Sequence, residues 1–306
     1  SSVFKVLLLH AGTKINIERM HNAGVTTSVG NYFAAHSDDP EPLLSVQLLS
    51  RLALSRDAAL ELARNTLVGA ALCARLERGS QDVLLLTLRI SCHSKAARVL
   101  TAPEDGTIVQ ALVSLAQSDP ANLKILATLT LANLVALDDI GGIAAGEPAL
   151  QEAMRTLQTA MCVGRSAEAA KPMLGRISAA SALRIICNLL VSKDNIPMLF
   201  QLGVIPFLVE ALKTCEWYGT EARTVERLAL TALFRLSALE DAKQVMKETQ
   251  LAQTLMSALD HNPRDCSWNS DSEGEESDGC ASSRAPSVAS AASSDAHESR
   301  GASSRA

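Results

Sequence analysis

Two stretches far apart in this 306-residue chain carry nearly the same phrase. Lys14, Asn16, Ile17, Met20, Gly24 and Val25 of the first match Lys193, Asn195, Ile196, Leu199, Gly203 and Val204 of the second at the same offsets. Internal self-similarity constrains the fold more than any single motif does, because a repeating sequence folds as units that stack on their neighbours. Stacked units present a long surface, which moves the expected function from catalysis towards binding.

Further copies emerge at the ends of the longest helical patterns, where Asn or Arg is followed by Leu or Ile. Aligning Leu9, Arg51, Arg89, Asn133, Asn188 and Arg235 gives successive spacings of 42, 38, 44, 55 and 47 residues. These straddle the period of about 40 to 47 residues expected of helical repeats. After each such end comes a polar break, as at Ser55-Arg56-Asp57, Ser192-Lys193-Asp194 and Glu240-Asp241, where a side-chain oxygen is expected to cap a short helix. Gly24 and Gly203 are expected to close that helix in the left-handed conformation. A second helix follows, with Pro206 in its first turn, and then a longer third helix. One such third helix is predicted to start with Asp119 as cap and Pro120 as first residue, its apolar face formed by Leu123, Leu126, Ala127, Leu129, Thr130 and Leu134.

Composition fits helices. Apolar residues make up 47% of the chain and aromatics only 3%, so the core must be built from Leu, Ala, Val and Ile. The net charge of −5 is uneven. From Pro263 to Ala306 eight acids face four bases, which leaves the preceding part nearly neutral and argues against a nucleic-acid groove. Seven cysteines, odd in number and without a C-x-x-C pair, predict reduced thiols in a cytosolic, or else nuclear, compartment. His93 beside Cys92 is the one Cys/His neighbour pair, and no second pair completes a metal site. No apolar run approaches the roughly 20 residues of a membrane helix. Because the chain opens at Ser1 with an apolar segment and no Met, we expect further repeats ahead of it.

Residues 1–260 are therefore expected to form one repeat domain, and 261–306 an acidic, Ser-rich, disordered tail. The long spacing of 55 is expected to be an insertion at about 138–175, in which Gly141, Gly142 and Gly146 replace the first helix with a flexible stretch.

The residues Ala182-Leu183-Arg184-Ile185-Ile186-Cys187-Asn188-Leu189-Leu190, Asn195-Ile196, Leu199 and Leu202-Gly203-Val204-Ile205-Pro206, then Leu208-Val209 and Leu212, resemble the armadillo repeat family. The resemblance spans 177–259 most fully. It implies an all-α fold, a right-handed α-solenoid of about six three-helix units. It also implies that third helices line a groove for extended partner segments, with the Asn near each helix end bonding the partner backbone. By position Asn133 and Asn188 carry that role, while Arg51, Arg89 and Arg235 take the place in other units and Leu9 departs from it. One turn earlier, where nuclear-import adaptors of the family keep Trp, the chain has Lys5, Gln47, Leu85, Leu129, Arg184 and Thr231. A groove bearing Arg51, Arg89, Arg184 and Arg235 would favour acidic or phosphorylated peptides. The same recurrence would also arise if these side chains bonded the neighbouring repeat.

For catalysis the sequence offers little. The six histidines are isolated, no Ser or Cys sits in a nucleophile context, and the Gly141–Gly146 cluster lacks the ending of a phosphate loop. No cofactor is implied. Ser270 and Ser272 precede acids, and Ser287 follows Arg284. These are expected phosphorylation positions, and their added charge would suit the tail as an intramolecular competitor for the groove. The expected function is a non-enzymatic scaffold or adaptor that binds protein partners, without nucleic acid or membrane insertion. The alternative is a regulatory helical-repeat module of a larger signalling, chaperone or enzyme polypeptide.

Overall fold

The computed structural model describes residues 2–36, 43–102, 107–135, 142–161, 177–249 and 251–253. The expected tail, 261–306, lies outside these residues, as do Ser270, Ser272 and Ser287. Among the described residues all regular structure is helical.

After α1 (Ser2–His10) the helices come in sets of three. The first set is α2 (Lys14–Asn22), α3 (Val25–Ala35) and α4 (Leu43–Leu52); the second is α5 (Arg56–Arg64), α6 (Thr66–Glu77) and α7 (Gln81–Ser91). The third is α8 (Ser94–Leu100), α9 (Thr107–Ala116) and α10 (Ala121–Val135). In the fourth only α11 (Glu147–Met161) and α12 (Ala179–Leu189) are present among the described residues. The fifth has a 3-10 turn, Lys193–Asn195, running into α13 (Ile196–Gln201), then α14 (Val204–Lys213) and α15 (Ala222–Leu236). Helix α16 (Glu240–Glu248) opens the next.

Packing follows this order. Helices α1, α4, α7, α10, α12 and α15 each pack on the next in a continuous third-helix row. The second helices α3, α6 and α9 form another run of neighbours, as do α11 and α14. Each third helix also packs on the second helix of its own set. Leu, Ala, Val and Ile dominate the interior, with Phe33 the one fully buried aromatic ring among the described residues. Full burial of each such Leu or Ile side chain contributes about 1.5–3 kcal/mol. The predicted face of α10 widens in the structure. From Leu126 to Leu134 every side chain but Thr128 is buried, because α7, α9, α11 and α12 all pack against this helix.

The turn chemistry separates into what sequence position fixes and what side-chain geometry decides. Gly24 and Gly203 both have φ near +74°, the left-handed region where a side chain would be strained. Ser55 and Ser192 sit at the expected helix starts in extended conformation, but neither side chain makes a capping bond. At Glu240 the cap position is Leu239, and Glu240 and Asp241 fall in the first turn, where negative charge suits the helix dipole. Side-chain caps come instead from Thr13, Asn65 and Ser178. Helix α10 starts at Ala121 rather than Pro120; the Pro120 carbonyl accepts from the Lys124 N–H at 3.1 Å.

Within the expected insertion, the described stretch before α11 is a close-packed strap rather than a flexible linker. A Cβ on Gly142 would lie 2.3 Å from the Ser192 backbone nitrogen and 2.8 Å from Val191 carbons. Here glycine is required by contact. Buried Asn195 holds the same strap: its Oδ1 accepts from the Ala145 N–H at 2.8 Å, and its Nδ2 donates to the carbonyls of Ile143 at 2.7 Å and Leu189 at 2.8 Å. Asn16, its counterpart in the shared phrase, donates to the His10 carbonyl at 3.0 Å. Both asparagines thus reach back six residues to the last residue of the preceding third helix. That backward bond explains the Asn in the repeated phrase: it ties the corner between third helix and following first helix, using a carbonyl left without an intrahelical partner.

Candidate functional site

The third helices carry the six residues singled out by sequence: five lie within three residues of a C-terminal end, and Arg184 sits at the middle of α12. Five of those six side chains reach to the preceding third helix. Arg51 on α4 donates from Nη1 to the Leu8 carbonyl of α1 at 2.6 Å. Arg89 on α7 donates to both the carbonyl and Oγ of Ser50 at 2.8 Å. Asn133 on α10 donates to Ser91 Oγ at 3.2 Å and lies 3.7 Å from Cys92 Sγ. Asn188 on α12 donates to Asn133 Oδ1 at 3.0 Å, and Arg235 on α15 donates to the Cys187 carbonyl.

Every neighbouring pair in the row therefore has one such rung. In the three arginine rungs the accepting carbonyl belongs to the third residue from the end of its helix. Such carbonyls have no partner within their own helix, and a cation beside them is favoured by the helix dipole. The ladder explains the recurrence of Arg and Asn at this position as a connection between repeats. Asn133 is 1% exposed and fully engaged in that role. Each arginine keeps its charge while making its rung.

Arg184 is half-buried on α12, and its charge is felt at Cys92, His93 and Cys187. Burial is the main influence on all three neighbours. It pushes the Cys92 thiol up to about 11 and Cys187 up to about 12, and it lowers His93. Burial, reinforced by Arg51, also lowers the pKa of Arg89. Both thiols therefore stay protonated and unreactive near neutral pH.

The row is also where positive charge collects. Its six helices carry Lys5, Arg51, Arg89, Lys124, Arg184, Arg223, Arg227 and Arg235 against only Asp82 and Glu226. The second helices α3, α6, α9, α11 and α14 carry three bases against four acids. An excess of six positive charges thus lies on one row of a chain whose net charge is −5.

Between α4 and α7 the row opens into a cleft of about 210 Å³, lined by Gln47, Leu85, Arg51, Arg89 and the acid Asp82. Gln47 and Leu85 are the residues one turn before the rung arginines, so the cleft sits between equivalent positions of two successive units. Farther along the row Phe234 is 79% exposed beside Arg235, and Arg223 and Arg227 are exposed on the same helix. Exposed Phe234 had no signal in the sequence beyond its apolar character, because helical periodicity alone counts Phe as core.

Neither a scan against protein-family models nor a search of curated proteins gives a match to this chain. Among the described residues no group of three His, Cys, Asp or Glu side chains could hold a metal ion. No single helix among them is long and apolar enough to cross a membrane.

Proposed function

We propose that the chain is an armadillo-type, right-handed α-solenoid that serves as a non-enzymatic scaffold, binding extended acidic or phosphorylated segments of protein partners along its third-helix row. The observation that carries this reading is the charge segregation: eight bases and two acids on the third helices, against a balanced second-helix row. The three-helix order, the continuous row of third helices and the left-handed glycines before α3 and α14 support the armadillo assignment. Guanidinium groups recognise carboxylate and phosphate through charge-assisted, fork-shaped hydrogen bonding. The cleft between α4 and α7 supplies a recess beside two of them, and Phe234 offers an apolar contact at the far end of the row.

Asn133 and Asn188 are tied to the ladder, so recognition in this reading rests on the basic side chains rather than on an asparagine comb. The test is fluorescence anisotropy of the full chain with labelled 12-residue peptides that are acidic, phosphoserine-containing, neutral or basic. Binding of the first two, weakened by salt and by Lys124→Ala with Arg223→Ala, supports the reading. Equal binding of the basic peptide overturns it.

A further inference from the structure

A second cleft, of about 280 Å³, lies on the other side of Arg89, where the corners following α1, α4 and α7 face the start of α12. Its size is close to the lower end of small-ligand pockets. Five separate segments supply its walls, so it is a product of stacking rather than of any one loop. Ile17, Ala53, Leu54 and Ile177 give it an apolar surface, and Lys14, Arg89 and His93 face the same space. Glu221 is the one acid lining it. Lys14 is held across it by a 3.3 Å hydrogen bond from Nζ to Thr220 Oγ1, which joins the first set of helices to the segment before α15.

His93 is placed to respond to a ligand here. Its Nε2 lies 3.0 Å from the Ala53 carbonyl; a carbonyl only accepts, so Nε2 carries the hydrogen and Nδ1 is the nitrogen that a further proton would occupy. Apolar walls lined also by Lys14, Arg89 and His93 suit an amphipathic anion, because the stem buries apolar surface while the head takes charge-assisted hydrogen bonds.

We propose that this cleft is an anchoring site for one anionic group, a carboxylate or a phosphate, carried on a short apolar stem. It deepens the reading of the third-helix row by giving an acidic partner segment a defined end point beside Arg89. Binding is coupled to proton uptake. In the empty cleft, burial holds His93 below its ordinary pKa, and the Arg184 and Arg56 charges act in the same direction, with the Ala53 carbonyl bond and Asp57 opposing them. Lys14 and Arg89 add positive charge in the cleft and Glu221 negative charge. An anion beside the ring opposes that shift and favours the imidazolium, so affinity rises as pH falls through the His93 titration.

The test uses the full chain, 15N-labelled, with the histidine ring signals followed by NMR during titration with isovalerate, inorganic phosphate or isovaleramide. We expect the anions to shift the His93 signals and raise its pKa, and the amide to do neither. Tighter binding of isovalerate assigns a carboxylate as the natural group, and tighter binding of phosphate assigns a phosphorylated side chain. Lys14→Met should weaken the anion at least threefold, and His93→Gln, which keeps an N–H for the Ala53 carbonyl, should flatten the pH dependence. The proposal is overturned if neither anion moves the His93 signals, if the amide moves them equally, or if both variants bind as the parent does. Because only small anions are used, this outcome is independent of the peptide titration that tests the row itself.

Discussion

Asn195→Ala and Asn16→Ala change the same letter of the same repeated phrase, yet the structure gives them different energies. Asn195 is 1% exposed and makes three hydrogen bonds, to Ala145 N, Ile143 O and Leu189 O. Each bond contributes about 0.5–1.5 kcal/mol net, and a buried group left without its partner costs about 1–3 kcal/mol. The Leu189 carbonyl keeps a bond from the Ser192 N–H at 3.3 Å, and the half-buried strap can recover water at Ile143 and Ala145. The expected loss is therefore about 2–4 kcal/mol, the net worth of three bonds with no backbone group left wholly unpaired. Asn16 makes one side-chain bond on a more open surface, and its loss should cost about 1 kcal/mol or less. Urea unfolding followed by circular dichroism gives both values, and hydrogen exchange at the Ala145 amide reports release of the strap before global unfolding. Equal destabilisation by the two substitutions, or retained protection at Ala145 in Asn195→Ala, would refute this account of the phrase.

Other substitutions probe separate parts of the molecule. Gly142→Ala should destabilise by about 2 kcal/mol or more, since its Cβ meets backbone at 2.3 Å, whereas Gly146→Ala, with nothing nearer than 3.7 Å, should melt within about 2 °C of the parent. Cys92 and Cys187 should resist alkylation at pH 8 until the chain unfolds. Their folded pKa values, about 11 and 12, lie above the ordinary 9.0, so the stability they contribute is intact below pH 9 and is lost as pH rises through that window. His93 acts at the opposite end: its lowered pKa gives stability that is present above its ordinary 6.5 and falls as pH drops below it. A urea series from pH 7 to pH 5 should be flatter for His93→Gln than for the parent. Finally, Asn133→Ala should cost about 2 kcal/mol, because two rungs meet at this buried side chain, and Arg51→Met about 1 kcal/mol or less at its exposed rung.

Much of the architecture can be read from the sequence, because its signals are local. Periodicity and punctuation place the three-helix order, and Gly24 and Gly203 mark the left-handed turns without knowledge of what packs on them. Side-chain roles depend on residues about 40 to 55 positions away, and there the sequence leaves alternatives open. Arg and Asn at the third-helix ends read equally as partner contacts or as links between repeats until the register of stacked helices brings Leu8, Ser50 and Cys187 carbonyls within reach. Gly142 reads as a loop residue because its constraint comes from Val191 and Ser192, fifty residues on. Ser55 and Ser192 occupy cap positions whose rotamers, rather than their residue types, decide whether a cap bond forms. The clefts beside Arg89 could not be anticipated at all, since they exist only where separate units meet.

Hydrogen-exchange mass spectrometry of the full chain with and without a saturating acidic phosphopeptide tests the central claim most directly. The account predicts slowed exchange in α7, α10, α12 and α15, fading as salt is raised, with α6, α9 and α14 unchanged. Protection confined to the second-helix row, or none at a peptide concentration that saturates the anisotropy signal, would contradict it.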